Sequence, residues 1–268
     1  MSILHLVVLA LVQGITEFLP ISSSGHLILV PFVAGWADQG LLIDVATHVG
    51  TLGAVLIYFR RDVWAMLAGL LRLVRGRSDP GARLALLVVA ATIPVVVAGL
   101  VLDRVYPQGF RSIVVIGWTT LVFGVLLYAA DALGMTVRRL EHLRLSDAMV
   151  IGGSQILALI PGTSRSGITM TAARLLGFDR TDAARFSLLL SMPTILGAGV
   201  LKGLQLWRTG DAQLTGDALL VAGLALVAAL VAIALMMAWL RRATFTPFVV
   251  YRVVLGLVLL AVGYGVFG

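Results

Sequence analysis

The sequence predicts an all-α polytopic membrane protein, because its composition, the lengths of its apolar segments and its loop charges agree. Of its 268 residues, 60% are hydrophobic and 12% are charged, against about 45–50% and about 25% in soluble proteins. No long polar stretch could form a water-facing domain, so we predict a single integral membrane domain over residues 1–268. The absence of cysteine excludes disulfides, thiolate nucleophiles and cysteine-ligated zinc.

Six segments are predicted to be full transmembrane helices, since about 20 apolar residues cross about 30 Å of hydrocarbon. They are 41–59, 84–102, 112–130, 186–207, 218–239 and 248–267. Two further apolar regions, 3–34 and 148–176, are interrupted by proline, glycine and serine. Irregular backbone at membrane depth is stable only where protein buries it or where it lines a watery cavity. The interrupted regions are therefore predicted to be re-entrant helical hairpins.

The two halves of the chain, roughly 1–130 and 131–268, resemble each other in their interrupted regions. A shift of 142 residues places Gln13 on Gln155, Ser22 on Ser164, Ser24 on Ser166 and Gly25 on Gly167. Such an ordered set of matches is typical of an internal repeat, although a chance likeness of two Ser/Gly-rich turns is the alternative.

The net charge of +7 is concentrated in the loops. Thirteen arginines lie in 60–83, 131–147, 177–185 and 240–247, whereas three lie in 35–40, 103–111 and 208–217. By the positive-inside rule the first group of loops faces the cytoplasm. The hairpins then enter from opposite sides, as in an inverted-topology repeat with a site near the midplane. Because no aromatic or Gly-rich RNA-binding motif accompanies the charges, no nucleic-acid partner is expected.

The first interruption carries an unusual set of polar side chains, and it reads QGITEFLPISSSGH from Gln13 to His26. Gln13 and Glu17 are four residues apart, so their polar ends can meet on one helix face. A proline then ends the helix before three serines. A charged side chain at membrane depth costs about 2.5–3.5 kcal/mol on insertion scales, which indicates a function for Glu17. An ion pair that only holds the hairpins together is the alternative.

The second interruption reads PGTSRSGIT from Pro161 to Thr169 and has the character of a phosphate site. Its glycines allow close backbone approach, its hydroxyls and the following helix N-terminus offer donors, and a guanidinium fork matches phosphate oxygens. Arg165 at membrane depth also needs a counter-ion, and Glu17 on the other hairpin is the best candidate. The serines could instead be helix caps, but caps leave Arg165 unexplained.

These motifs resemble those of the bacterial undecaprenyl-diphosphatases, the bacitracin-resistance type of lipid pyrophosphatase. The resemblance covers the whole chain in length and span pattern. It rests on Gln13-xxx-Glu17, Pro20-Ile-Ser-Ser-Ser-Gly-His26 and Pro161-Gly-Thr-Ser-Arg-Ser-Gly167. The family has Glu or Gln at the first motif position, and here Gln13 leaves Glu17 as the one carboxylate of this hairpin.

The resemblance implies hydrolysis of undecaprenyl diphosphate to the monophosphate, which recycles the lipid carrier for peptidoglycan synthesis. It also implies a divalent cation, Mg²⁺ with Ca²⁺ as the alternative. The expected location is the bacterial cytoplasmic (inner) membrane, with the active site facing the periplasm or cell exterior.

Under this resemblance each motif residue receives a role. Arg165 would clamp the terminal phosphoryl group. Ser23 is the leading nucleophile candidate, with direct attack by water as the alternative. Glu17 would bind the metal or act as base. Gln13 would be a second metal ligand, or would orient Glu17 or a metal-bound water, and His26 could shuttle the proton. The other predicted phosphate-binding residues are Ser22, Ser24, Gly25, Ser164, Ser166, Gly167 and Thr169.

Polar residues outside the motifs receive weaker predictions. For Asp44 and His48, helix packing or cavity lining is expected at least as much as catalysis. Arg252 lies inside the last span and could pair with a buried polar group, but the sequence names no partner. A charged cytoplasmic loop is the simplest expectation for Arg174, Arg180 and Arg185.

Two other function classes compete with hydrolysis. A polyprenyl-phosphate transporter or flippase would share the inverted repeat and the broken helices, and fold alone does not decide function. A transporter, however, has no need for hydroxyl, imidazole, carboxylate and guanidinium groups that converge on one phosphate. A structural scaffold leaves Glu17 and Arg165 unexplained. The expected partners are a polyprenyl diphosphate and membrane lipid, and the oligomeric state is left open, with a homodimer as one arrangement.

Overall fold

The computed structural model describes residues 2–36, 41–106, 112–134, 138–209 and 212–266, and this part of the chain is helical apart from turns and loops. Its α-helices are α1 (Ile3–Thr16), α2 (Ser23–Ala34), α3 (Leu41–Tyr58), α4 (Arg60–Val74), α5 (Pro80–Val105), α6 (Ile113–Leu133), α7 (Leu145–Ser154), α8 (Arg165–Leu175), α9 (Arg180–Thr209), α10 (Ala212–Leu240) and α11 (Thr246–Gly263). A 3₁₀ segment, Gln155–Leu159, continues α7 toward the second interruption.

Four helices within the described residues are long and apolar enough to cross a membrane, which confirms the all-α membrane prediction. These segments are Pro80–Val105, Ile113–Leu133, Thr215–Leu240 and Thr246–Gly263. The predicted spans 84–102, 112–130, 218–239 and 248–267 fall on them. The predicted span 41–59 coincides with α3, whose apolar part Ile43–Tyr58 is shorter. The span 186–207 lies within α9, whose side chains are described only as far as residue 197.

The two predicted interruptions are present as breaks between α1 and α2 and between α7 and α8. Each break contains one serine with a left-handed backbone: φ is 73° at Ser22 and 69° at Ser164. This conformation is uncommon for residues other than glycine. The two serines are 142 residues apart, the shift at which the interruptions match in sequence. The two interruptions therefore share a positive φ at serines that match in the sequence alignment of the two halves.

Close packing on α10 brings α1 and α3 together behind the first interruption. At Gly50 of α3, an added Cβ would lie 2.1 Å from the carbonyl oxygen of Ala222 in α10. At Gly14 of α1, it would lie 2.6 Å from the Cβ of Ala228. Small residues at such contacts let helices approach closely in lipid, where packing rather than water drives association.

We expect Gly50→Ala to lower the thermal unfolding midpoint in detergent, because the added methyl overlaps the backbone of α10 and overpacking typically costs about 1–3 kcal/mol. Gly223→Ala in α10 is the matched control, since a Cβ there meets nothing within 4 Å. The control should keep or slightly raise the midpoint. Equal midpoints for both variants would show that α3 and α10 are not in close contact.

The charged-loop prediction is wrong for Arg174, whose side chain at the end of α8 is fully buried, with 0% exposure. Its Nε donates to Oδ1 of Asp131 at 3.0 Å, and Arg180 donates to the same oxygen at 2.7 Å. The backbone N–H of Phe245 donates to Oδ2 of Asp131 at 3.1 Å. A buried charge must be paired or hydrogen-bonded, and these contacts of Asp131 join the end of α6 to α8, α9 and the turn before α11.

Candidate active site

The two interruptions meet at an ion pair between Glu17 and Arg165. Glu17 follows the last turn of α1, and Arg165 begins α8 after the capping residue Ser164. The Nη2 of Arg165 donates to Oε1 of Glu17 at 2.9 Å. The side chain of Glu17 is 7% exposed and that of Arg165 is 18% exposed. The predicted counter-ion of Arg165 is thus confirmed.

The second oxygen of the Glu17 carboxylate collects three further side chains. Gln13 donates from Nε2 at 2.8 Å, as the four-residue spacing predicts, and the hydroxyl of Ser23 donates at 2.7 Å. The Nε2 of His48, in α3, lies 3.6 Å from the same oxygen. The structure therefore groups Glu17 with a hydroxyl, an amide and an imidazole on one side and a guanidinium on the other.

The start of α8 offers donors for an anion beside this group. Ser164 occupies the N–H groups of Gly167 and Ile168, through its Oγ at 3.1 Å and its carbonyl at 2.9 Å. Among the described residues, the backbone N–H groups of Arg165 and Ser166 and the Nε and Nη1 of Arg165 have no hydrogen-bond partner. A helix N-terminus with free amides attracts phosphate. These donors and the guanidinium belong to consecutive residues.

The other predicted phosphate-binding hydroxyls have protein partners, and those of Ser24 and Ser166 join the two interruptions. Ser24 Oγ accepts the N–H of Gly162 at 3.3 Å, and Ser166 Oγ donates to the carbonyl of Leu19 at 3.0 Å. Thr169 Oγ1 donates to the carbonyl of its own helix at 2.9 Å. Buried positions are occupied by Ser22, Gly25, Ser164, Ser166, Gly167 and Thr169. Their contact with phosphate stays a prediction.

Arg252 is the buried residue whose partners the sequence did not reveal. Its side chain is fully buried, with 0% exposure. It donates to the carbonyls of Thr120 at 3.1 Å and Thr163 at 2.9 Å. It also donates to the carbonyls of Gly162 at 3.1 Å and Pro20 at 3.4 Å. Arg252 therefore binds carbonyls of both interruptions. Because every residue has a backbone carbonyl, no sequence pattern could predict these partners.

We expect Arg252→Lys to raise amide hydrogen exchange in peptides covering residues 17–24 and 160–168 by about tenfold or more. A lysine cannot reach carbonyls on several sides, and each unsatisfied buried carbonyl costs about 1–3 kcal/mol. Hydrogen exchange with mass spectrometry in detergent measures this opening. The exposed Arg241 supplies the control Arg241→Lys. Unchanged exchange at both interruptions in Arg252→Lys would show that the carbonyls are held by other means.

The imidazole of His26 forms no hydrogen bond with Ser23 in the described part of the chain. Its Nδ1 is 2.7 Å from the carbonyl of Ser22, and its Nε2 is 2.5 Å from the hydroxyl of Tyr251. A carbonyl can only accept, so Nδ1 of the neutral ring carries the hydrogen and Nε2 accepts from Tyr251. Both ring nitrogens are occupied, and the structure pairs Ser23 with Glu17 instead. A proton shuttle through His26 stays a prediction, and in this arrangement it would pass through Tyr251.

Comparison with known proteins places these residues in a family. The model of the family described as bacitracin resistance protein BacA matches residues 6–258, a range that includes both interruptions. The chain belongs to the BacA family. Proteins called undecaprenyl-diphosphatase from Jannaschia sp. and Ruegeria pomeroyi are each 55% identical, over 98% of this chain and 100% of the relative. The one from Teredinibacter turnerae is 51% identical over 97% of this chain and 98% of the relative.

BacA family membership confirms the resemblance found in the motifs, but the roles of the individual residues rest on the geometry. The sequence led to Gln13, Glu17, Ser23 and Arg165, which the structure brings together. It did not indicate that His48 and Tyr251 would contact Glu17 and His26. The one available signal was a polar side chain inside an apolar helix.

The residues around Glu17 in this BacA family member fit a divalent cation that is shared with a substrate. Within the described residues there is no cluster of three or more His, Asp or Glu side chains that could hold a metal ion alone. However, Oε1 of Gln13 is buried and has no hydrogen-bond partner. Mg²⁺ is usually bound by one or two carboxylates together with substrate phosphates. Glu17 and Gln13 can supply the protein oxygens of such a site.

Proposed function

We propose that this protein hydrolyses undecaprenyl diphosphate to undecaprenyl phosphate and inorganic phosphate, and so recycles the lipid carrier of peptidoglycan synthesis. The observation that carries the proposal is the hydroxyl–carboxylate–guanidinium chain of Ser23, Glu17 and Arg165. The names of the relatives, which match nearly the full length of both chains, support the same reaction. They favour a hydrolase over the polyprenyl-phosphate transporter.

Arg165 binds the terminal phosphoryl group in this proposal. The phosphate oxygens would accept hydrogen bonds from its free Nε and Nη1 and from the backbone N–H groups of Arg165 and Ser166. All of these donors lie in one helix turn. In phosphoryl transfer the charge is spread over these oxygens, so fixed donors are the main source of rate. Glu17 orients Arg165 through Nη2, because that contact leaves the rest of the fork for the substrate.

Ser23 attacks the terminal phosphorus, and Glu17 accepts its proton along the 2.7 Å hydrogen bond. A bond forms between Ser23 Oγ and phosphorus while the bond from phosphorus to the bridging oxygen breaks. Undecaprenyl phosphate leaves with the electron pair. Water then attacks the phosphoserine, giving up a proton, and Ser23 Oγ regains one as inorganic phosphate is released. This sequence follows the general logic of a nucleophile activated by an adjacent base.

We also propose that a divalent cation, Mg²⁺ with Ca²⁺ as the alternative, is held by Glu17 with Gln13. When bound, such a cation neutralises charge on the diphosphate oxygens. The unpartnered Oε1 of Gln13 supports this assignment.

Purified protein in detergent is expected to release inorganic phosphate from a C55 prenyl diphosphate, a result that a transporter does not give without a second compartment.

Arg165→Lys should fold but lose about 10²–10³ in turnover, because a point charge replaces the planar fork. Arg241→Lys is the control on an exposed arginine. Near wild-type turnover in Arg165→Lys would reduce Arg165 to a counter-ion of Glu17, and no phosphate release from the wild type would remove the proposed function.

Ser23→Ala is expected to retain less than a tenth of wild-type turnover. Without the nucleophile, only substrate binding and the remaining electrostatic stabilisation contribute to the rate. Substrate labelled on its terminal phosphate, quenched rapidly in acid, should leave the label on the peptide that contains Ser23. Ser78→Ala is the control, since Ser78 is exposed and lies outside both interruptions. A folded Ser23→Ala protein with a tenth or more of the turnover would show that water attacks directly.

We further propose a multi-pass protein of the bacterial inner membrane with six crossings and two re-entrant hairpins of opposite entry, and with the active site open to the periplasm or cell exterior. The four apolar helices and the loop charges support it. Because the chain has no cysteine, Ser78→Cys and Gln213→Cys can be labelled singly in intact cells. An impermeant thiol reagent should reach Gln213→Cys and not Ser78→Cys. Labelling of both from outside would rule out the inverted repeat.

A further inference from the structure

His48 approaches the active site from α3, an element outside both interruptions. Its Nδ1 lies 2.7 Å from the backbone carbonyl of Asp44. Because a carbonyl can only accept, Nδ1 carries the ring hydrogen of the neutral imidazole. The lone pair of Nε2 therefore remains on the side of Glu17, at 3.6 Å from Oε2. The side chain of His48 is 33% exposed, so the space beside it is open to a ligand.

While the ring of His48 is neutral, Nε2 and Oε2 are two acceptor atoms with no direct attraction. The separation of 3.6 Å exceeds the 2.7–3.2 Å of a hydrogen bond. It does suit two ligands of one ion, since metal bonds to nitrogen and oxygen are about 2.0–2.2 Å long. A cation between Nε2 and the carboxylate would convert the opposed lone pairs into two coordinate bonds.

The contact between Nδ1 of His48 and the carbonyl of Asp44 is of the kind that metal-binding histidines usually have. In most metal sites the ring nitrogen that is not bound to the metal donates to a backbone carbonyl, a carboxylate or a water, which fixes the tautomer and the ring orientation. The bond from Nδ1 to Asp44 does this for His48.

An independent observation on Gln13 also points to a ligand. Gln13 is fully buried, with 0% exposure, and its Nε2 contacts the same oxygen, Oε2 of Glu17, that faces His48. Its Oε1 is buried with no hydrogen-bond partner among the described residues. A buried amide oxygen in that state costs about 1–3 kcal/mol. Because Nε2 is the atom that faces Glu17, the amide would turn its Oε1 toward a cation bound there, and this would offset the cost.

We propose that His48 is a direct ligand of the divalent cation that Glu17 binds, through Nε2. The site then has one nitrogen and one or two protein oxygens, and phosphate oxygens of the substrate complete it. Imidazole favours transition metals, whereas carboxylate and amide oxygens suit Mg²⁺, Ca²⁺ and Mn²⁺. His48 thereby shifts the preference of the site from Mg²⁺ and Ca²⁺ toward Mn²⁺ and later transition metals. The inference rests on the proposed function only for the presence of the cation.

Electron spin-echo modulation of the purified protein loaded with Mn²⁺ tests this ligand without any assay of activity. We expect modulation from a directly bound ¹⁴N in the wild type, replaced by the ¹⁵N pattern when histidine alone is labelled with ¹⁵N. The chain has four histidines, so single substitutions can assign the signal. His48→Gln should lose the nitrogen signal and bind Mn²⁺ at least about tenfold more weakly, with a higher ratio of Mg²⁺ to Mn²⁺ affinity.

His142→Gln is the matched control, because His142 is exposed and contacts Glu141 rather than Glu17. Three results would overturn the proposal: no Mn²⁺ binding by the wild type, no histidine nitrogen signal with Mn²⁺ bound, or a signal that persists in His48→Gln. The first two need no variant to fold. An active protein without the nitrogen signal would overturn this inference and leave the hydrolase standing, while an inactive protein with the signal would do the reverse.

Discussion

The Glu17–Arg165 ion pair is the interaction on which the arrangement of the two interruptions depends. Each charge alone would be expensive at membrane depth, and each makes the other stable at a separation of 2.9 Å. Removing one partner of such a pair costs more than replacing both, because the remaining charge is buried without compensation. The two interruptions must therefore face each other, and the hydroxyl of Ser23 contacts the carboxylate at 2.7 Å.

The irregular backbone of the two interruptions also needs hydrogen-bond partners inside an apolar protein. Helical hydrogen bonds end at each interruption, so the free carbonyls and N–H groups need other partners. Arg252 binds the carbonyls of both breaks, and Ser24 and Ser164 accept N–H groups from the second one. The left-handed serines concentrate the remaining strain at two turns. In the proposed function the donors for phosphate are thus fixed before a substrate arrives, which is the condition for electrostatic catalysis.

A comparison of two buried arginines separates structure from chemistry. Arg174 has 0% exposure, and its guanidinium donates to Asp131 and to the carbonyl of Phe178. Arg165 gives one nitrogen to Glu17, keeps 18% exposure and begins a helix whose first N–H groups have no partner in the described part of the chain. Both arginines satisfy the rule that a buried cation needs an anion. Arg165 retains donors that a ligand can use, which is why the proposed phosphate site is placed there.

The sequence by itself determined the class of the protein and the centre of its site. Composition and the lengths of the apolar segments predict a helical membrane protein. The i,i+4 spacing predicts the contact of Gln13 with Glu17. Charge at membrane depth decides that Glu17 and Arg165 must pair. These features are local, or follow from a scarcity of possible partners, and so they can be read from one chain.

Only the tertiary structure decided which groups surround that centre. Arg252 binds carbonyls, which every residue has, and Arg174 finds its carboxylate 43 positions away. Ser23 lies six positions after Glu17 and three before His26, and the fold pairs its hydroxyl with Glu17, while Tyr251, 225 positions after His26, contacts the imidazole. His48 reaches Glu17 because glycines let α3 pack closely beside α1 on α10. Contacts of this kind depend on how helices pack, and neither hydrophobic periodicity nor motif spacing encodes that packing in a form that can be read locally.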